Sequence, residues 1–200
     1  MSTSKTRIRL YRSCSNVLTA IVMLVTVFMP LTAGRVLATE ASWAELETGG
    51  IVLFRHALAP GTGDPQRFDL DDCSTQRNLD HRGREQARAI GAAFQERGIG
   101  VGKVLSSQWC RCTETAELAF PGRVEAEPAF NSFFRDRSRG PAQTAEALDI
   151  LSHWNGPGAL VVVTHQVNIT ALTGIFPGSG EGIVVRMTDS GPVVVGRVQP

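Results

Sequence analysis

The chain has 200 residues, 42% of them apolar, which suits one domain with a single core. Its formal net charge is +1, but five of the 20 Lys+Arg and none of the 19 Asp+Glu precede Ala38, which leaves 15 against 19 and a net −4 beyond it. A mildly acidic chain has no global field to attract nucleic acid, so any anion it binds must be held by a local arrangement.

Lys5, Arg7, Arg9 and Arg12 form a basic start, and Val17 to Ala33 is apolar apart from Thr and Pro30. Val36-Leu37-Ala38 then offers small residues where a signal peptidase reads. The expectation is a signal peptide over 1–38 and a domain over 39–200 that is periplasmic or secreted. An uncleaved anchor, with the domain still outside the cytoplasm, is the alternative, because the run approaches the roughly 20 residues that span a bilayer. Cys14 belongs to the signal, leaving Cys73, Cys110 and Cys112. An oxidising compartment permits one bridge and one leftover thiol. Zinc fits poorly, since C-x-C with one distant Cys lacks the paired spacing of structural sites.

Beyond the leader, strand-like and helix-like segments alternate. Ile51–Phe54 is an apolar strand ending in Arg55 and His56, followed by a Gly/Pro loop. Asp80 caps a helix to about Arg97, with Gly83, Ala87, Ile90 and Phe94 on one face. Val101–Leu105 is the next strand and Cys110–Phe120 the next helix, stopped by Pro121 and Gly122. A short extended piece near Val124 leads into a polar loop, and Pro141 opens a helix to about Trp154. Ala159–Thr164 is uninterrupted and apolar, as a strand covered on both faces should be. A short helix over Val167–Leu172 and a hairpin of Ile183–Arg186 with Val193–Val198 complete the chain. This alternation predicts an α/β sandwich with a mainly parallel sheet.

Parallel strands deliver their C-terminal ends to one edge, where ligands of open α/β sheets bind. Arg55 and His56 follow the first strand, Ser106, Ser107 and then Arg111 the second, and His165 the third long one. Each alone reads equally well as a solvated charge or a structural imidazole. Four basic groups converging repel one another unless they share an anion, and Arg forks pair bidentately with phosphate oxygens. There is no G-x-x-x-x-G-K-[ST], no G-x-S-x-G and no H-E-x-x-H.

These segments resemble the histidine phosphatase (phosphoglycerate mutase-like) superfamily. "LFRHA" is similar to its Arg-His-Gly signature with Ala57 in place of Gly, and "NLDHRGREQA" supplies Leu79, Gly83, Gln86 and Ala87 of its helix entry. "SSQWCRCTETA" resembles the segment bearing its second arginine, here Arg111, and "VVVTHQVNITALTG" the segment bearing its second histidine, here His165. The resemblance implies a three-layer αβα sandwich and a phosphohydrolase acting through a phosphohistidine on His56. Arg55, Arg111 and a protonated His165 would bind the phosphoryl oxygens, with no metal or cofactor. The implied partner is a small phosphorylated substrate or phosphohistidine, not nucleic acid; a membrane enters only through an uncleaved N-terminal segment.

The chain departs from the family over the general acid. Ser132 and Gln166 fall where members carry a carboxyl, which leaves the proton donor unassigned. Glu114, one turn beyond Arg111, either approaches the pocket as a general acid, pairs with Arg111 or lies on the helix surface. Asp64, Asp71, Asp72 and Asp136 lie in loops that can fold over the site. Phe130, Phe133 and Phe134 are read as core or as a specificity wall, and Trp109 carries the same ambiguity. If Arg111 aims into the pocket, its cysteine neighbours face behind it, so Cys73 is expected to pair with Cys110 or Cys112. Two other readings compete: a phosphomutase, and a non-catalytic phosphate-binding module whose missing acid marks lost turnover.

Overall fold

The computed structural model describes residues 40–200, so the signal or anchor expected over 1–38 lies outside the described residues. A helical segment over 40–47 (α1) precedes the first strand. The elements that follow are β1 (Ile51–Arg55), α2 (His81–Glu96), β2 (Val101–Ser106), α3 (Cys110–Ala119), β3 (Val124–Ala126), α4 (Gly140–Ser152), β4 (Ala159–Thr164), α5 (Gln166–Thr173), β5 (Gly182–Thr188) and β6 (Gly191–Val198). They form one six-stranded sheet in the order β3-β2-β4-β1-β5-β6. The first four of these are parallel, while β5 and β6 run antiparallel as an edge hairpin.

The apolar strands are buried because both faces of the sheet are covered. Val52, Phe54, Val161 and Val163 point to one core with Ile90 and Phe94 of α2 and Ala116 of α3. Ile51, Leu53, Leu160 and Val162 point to the other, with Ala147 and Leu151 of α4 and Ile169 of α5. Period-two alternation thus splits one uninterrupted run between two cores, which gives three layers. The chain belongs to the α/β sandwich class with a mostly parallel sheet.

Local chemistry sets the helix ends. The Asp80 carboxylate accepts the Gly83 N–H at 2.7 Å and caps α2. Pro141 sits in the first turn of α4, where its missing N–H costs nothing. Gly174 ends α5 in the left-handed region at φ 73°.

From β1 the chain steps through α2, β2 and α3 to the edge at β3, then returns through α4 to place β4 between β2 and β1. That return brings the C-terminal ends of β1, β2 and β4 side by side. Among the described residues, no helix is long and apolar enough to cross a membrane.

Candidate active site

Backbone hydrogen bonds lock the three strand ends together just where the side chains leave the sheet. The His56 N–H donates to the Thr164 carbonyl at 2.9 Å, and the Ser107 N–H donates to the Val163 carbonyl at 2.9 Å. Arg111 enters from the first turn of α3, and His165 stands immediately before α5. Arg55, His56, Arg111 and His165 therefore line one cavity of about 400 Å³, and Arg77 and Arg137 join them from the loops.

His56 is buried, and its Nδ1 lies 2.7 Å from the Ala57 carbonyl. A carbonyl only accepts, so Nδ1 carries the proton and Nε2 keeps its lone pair. Burial, followed by Arg111, holds the His56 pKa well below its ordinary 6.5. The Ala57 hydrogen bond opposes that shift but does not reverse it. The ring is thus a neutral imidazole with one fixed tautomer.

His165 is equally buried, its ring centroid 5.6 Å from that of His56. Arg111 donates to its Nδ1 at 3.4 Å, so Nε2 bears the proton and donates to the Ser107 hydroxyl at 2.8 Å. Ser107 in turn donates to the Asn131 side-chain oxygen at 3.2 Å. Burial, then Arg111 and His56, hold the His165 pKa well below 6.5. The imidazolium expected from the sequence is therefore not its resting form. Arg111, His56, Arg77 and Arg55 surround one buried ring and disfavour another charge there.

Arg111 is 2% exposed and meets Asp64 through both arms of its fork, Nη1 to Oδ1 at 2.5 Å and Nη2 to Oδ2 at 3.2 Å. The Trp109 indole N–H also donates to Asp64 Oδ2, at 3.1 Å. Arg55 donates to the Pro177 carbonyl at 3.0 Å, and burial together with Arg111 lowers its pKa.

The loop bearing Asp64 is held from several sides. Arg77 donates to the Gly63 carbonyl at 2.7 Å and to the Ala59 carbonyl. A disulfide joins Cys73 to Cys110, with Cα atoms 5.7 Å apart, so of the two expected partners the bridge uses the one preceding Arg111. Cys112 remains a buried thiol, pushed up to about 12 by burial. At the other end, Gln86 accepts the Leu58 N–H at 3.0 Å and donates to the Ser179 carbonyl at 2.7 Å. Gly83 lets α2 approach closely, since a Cβ there would stand 2.0 Å from the Leu58 carbonyl oxygen.

Not every expected residue reaches the cavity. Glu114 does not line the cavity: although one turn from Arg111, its carboxylate is taken by Arg84 of α2 at 2.6 Å. It is not placed to donate a proton. Phe130 and Phe133 pack as core, whereas Phe134 is 44% exposed and lines the cavity, with Phe176 68% exposed beside it. Ser132 and Gln166 do line the cavity, but neither carries a carboxyl. Sequence reasoning misses Arg77, Arg137 and the clamp that Asp64 makes on Arg111. The available signal is an acid set between Gly63 and Pro65 in the loop that follows His56.

Residues 51–152 match the histidine phosphatase superfamily (branch 1), and the chain belongs to that family. The match ends before His165, so that residue rests on the geometry above. No curated protein matches the chain. Among solved structures, the chain is similar to Bacillus stearothermophilus YhfR, at 13% identity over 74% of this chain and 95% of that one, with a TM-score of 0.55. It is similar to TTHB049 from Thermus thermophilus, at 18% identity over 74% and 98%, with a TM-score of 0.53. It is also similar to a phosphoserine phosphatase mutant from Entamoeba histolytica in complex with phosphoserine, at 15% identity over 75% and 96%, with a TM-score of 0.52. At these identities the likeness establishes the fold.

Proposed function

We propose that this chain is an exported phosphohydrolase that cleaves a phosphomonoester or a phosphoramidate through a phosphohistidine on His56. The observation that carries this reading is the state of His56. A neutral ring with Nδ1 held on the Ala57 carbonyl presents Nε2 as a nucleophile, in a cavity shared with Arg55, Arg111 and His165. Nε2 attacks phosphorus, the bond to the leaving group breaks, and water then attacks the phosphohistidine to release inorganic phosphate. Arg55 and Arg111 stabilise the equatorial oxygens, most strongly as charge spreads over them in the transition state. A dianion arriving beside His165 favours its imidazolium and turns it into a further donor. The Cys73–Cys110 bridge supports export to an oxidising compartment.

The test is phosphoenzyme trapping. Protein lacking residues 1–38 is incubated with a reactive phosphodonor and quenched. We expect one acid-labile phosphoryl group, mapped to the peptide containing His56. Tight phosphate binding with no labelled histidine would replace this reading with that of a phosphate-binding module, and transfer of the label to a second hydroxyl rather than to water would favour a mutase.

A further inference from the structure

The cavity holds one carboxylate among the described residues that line it, and that carboxylate sits on the phosphate fork. Asp64 takes both arms of Arg111 and the indole N–H of Trp109, with its side chain only 11% exposed. A phosphoryl group that takes Nη1 and Nη2 displaces Asp64 from both, and one that binds side-on through the unpartnered Nε and Nη2 displaces it from Nη2. Arg77 holds the Gly63 and Ala59 carbonyls without using the Asp64 side chain, so the loop keeps these two anchors when that side chain leaves Arg111.

We propose that Asp64, once exchanged off Arg111 by substrate, is the proton donor to the leaving group. This assignment rests on the phosphohydrolase reading. Leaving Arg111 frees both Asp64 oxygens beside the phosphoryl group that has taken the fork. Its proton comes from solvent or with the substrate monoanion. The charged and titratable groups that line the cavity with Asp64 are the guanidiniums of Arg55, Arg77, Arg111 and Arg137 and the imidazoles of His56 and His165. The buried Cys112 thiol lies behind Arg111. None of these is a carboxyl, and the imidazoles are already assigned to the nucleophile and to oxygen binding.

As the His56 Nε2–P bond forms and the P–O bond breaks, the Asp64 proton passes to the departing oxygen, which leaves as a neutral hydroxyl. The resulting carboxylate then takes a proton from the water that attacks the phosphohistidine. Inorganic phosphate leaves, Asp64 gives that proton up to solvent and pairs with Arg111 again, and His56 is again a neutral ring.

The experiment is a series of substituted phenyl phosphates, from phenyl to 2,4-dinitrophenyl, with wild type, Asp64→Asn and Asp64→Glu, read as kcat/KM. A donated proton matters most for the most basic leaving group. Asp64→Asn is expected to lose on the order of 100-fold or more with phenyl phosphate and far less with the dinitrophenyl ester. It should also lose the basic limb of its pH profile, and Asp64→Glu should restore part of both. Equal loss along the series with the limb intact would make Asp64 a positioning residue for Arg111 and overturn the proposal. Tighter phosphate binding with an unchanged slope would make it a competing anion and overturn it too. Wild-type protein that turns over no member of the series and shows no phosphohistidine overturns the phosphohydrolase reading as well.

Discussion

Thr115 joins Ala57, the residue after His56, to the helix that carries Arg111. Its hydroxyl accepts the Ala57 N–H at 3.0 Å and donates to the Arg111 carbonyl at 2.6 Å, wholly buried. The Ala57 carbonyl holds His56 Nδ1, so the hydroxyl anchors the residue whose next peptide fixes the His56 tautomer.

Replacing Thr115 with Val keeps the shape and strands the Ala57 N–H in the core. A buried donor left without a partner costs about 1–3 kcal/mol. Urea unfolding should show that loss, with turnover falling as well, while Thr115→Ser should keep most of both. A Val variant as stable as wild type would mean the Ala57 amide finds another acceptor.

Arg111→Lys keeps the charge but loses the fork, so its single nitrogen cannot reproduce the planar two-nitrogen grip on Asp64 or on a phosphoryl group. The expected cost is about 2–4 kcal/mol in kcat/KM, comparable to removing one preorganised donor. A near-wild-type value would mean that Arg111 does not contact the reacting group.

The Cys73–Cys110 bridge closes a loop of sequence separation 37 that contains neither His56 nor His165 but ends beside Arg111. The chain-entropy model puts its stabilisation at up to about 4 kcal/mol. Denatured, non-reduced protein lacking residues 1–38 should titrate one thiol, from Cys112, and reduced protein three. A Cys73→Ser/Cys110→Ser double variant should melt lower and lose activity through a displaced Arg111. Three thiols without reductant would reject the bridge.

Both buried imidazoles have pKa values held well below 6.5 in the folded protein. Unfolded, each ring binds a proton near its ordinary pKa, so the unfolded state gains protons first as pH falls. Their contribution to stability is present above about pH 6.5 and is lost as pH drops toward the folded values. The melting temperature should decline between about pH 7 and 5, and less steeply in His56→Gln. An identical profile in that variant would place the acid sensitivity elsewhere.

Element order and the strand-end residues were legible in the sequence because they follow from local rules. Apolar runs with no polar interruption require burial on both faces, and parallel strands send whatever follows them to one edge. That reasoning alone brings Arg55, His56 and His165 together. Everything one layer further out depended on helix rotation and loop path. Cys110, Arg111 and Cys112 are consecutive, and each step turns a side chain by about a quarter of a turn. Which of them meets Cys73, which faces the cavity and which is buried behind is decided by how α3 packs on the sheet. Glu114 is kept from the site by Arg84, which reaches it from α2 across 30 positions of chain. Asp64 reaches Arg111 across 47 positions of chain, through a loop whose path is set by Arg77, Gln86 and the disulfide together. The resting charge of His165 was equally out of reach, because it depends on burial and on Arg111 beside it, and both exist only once the chain has folded.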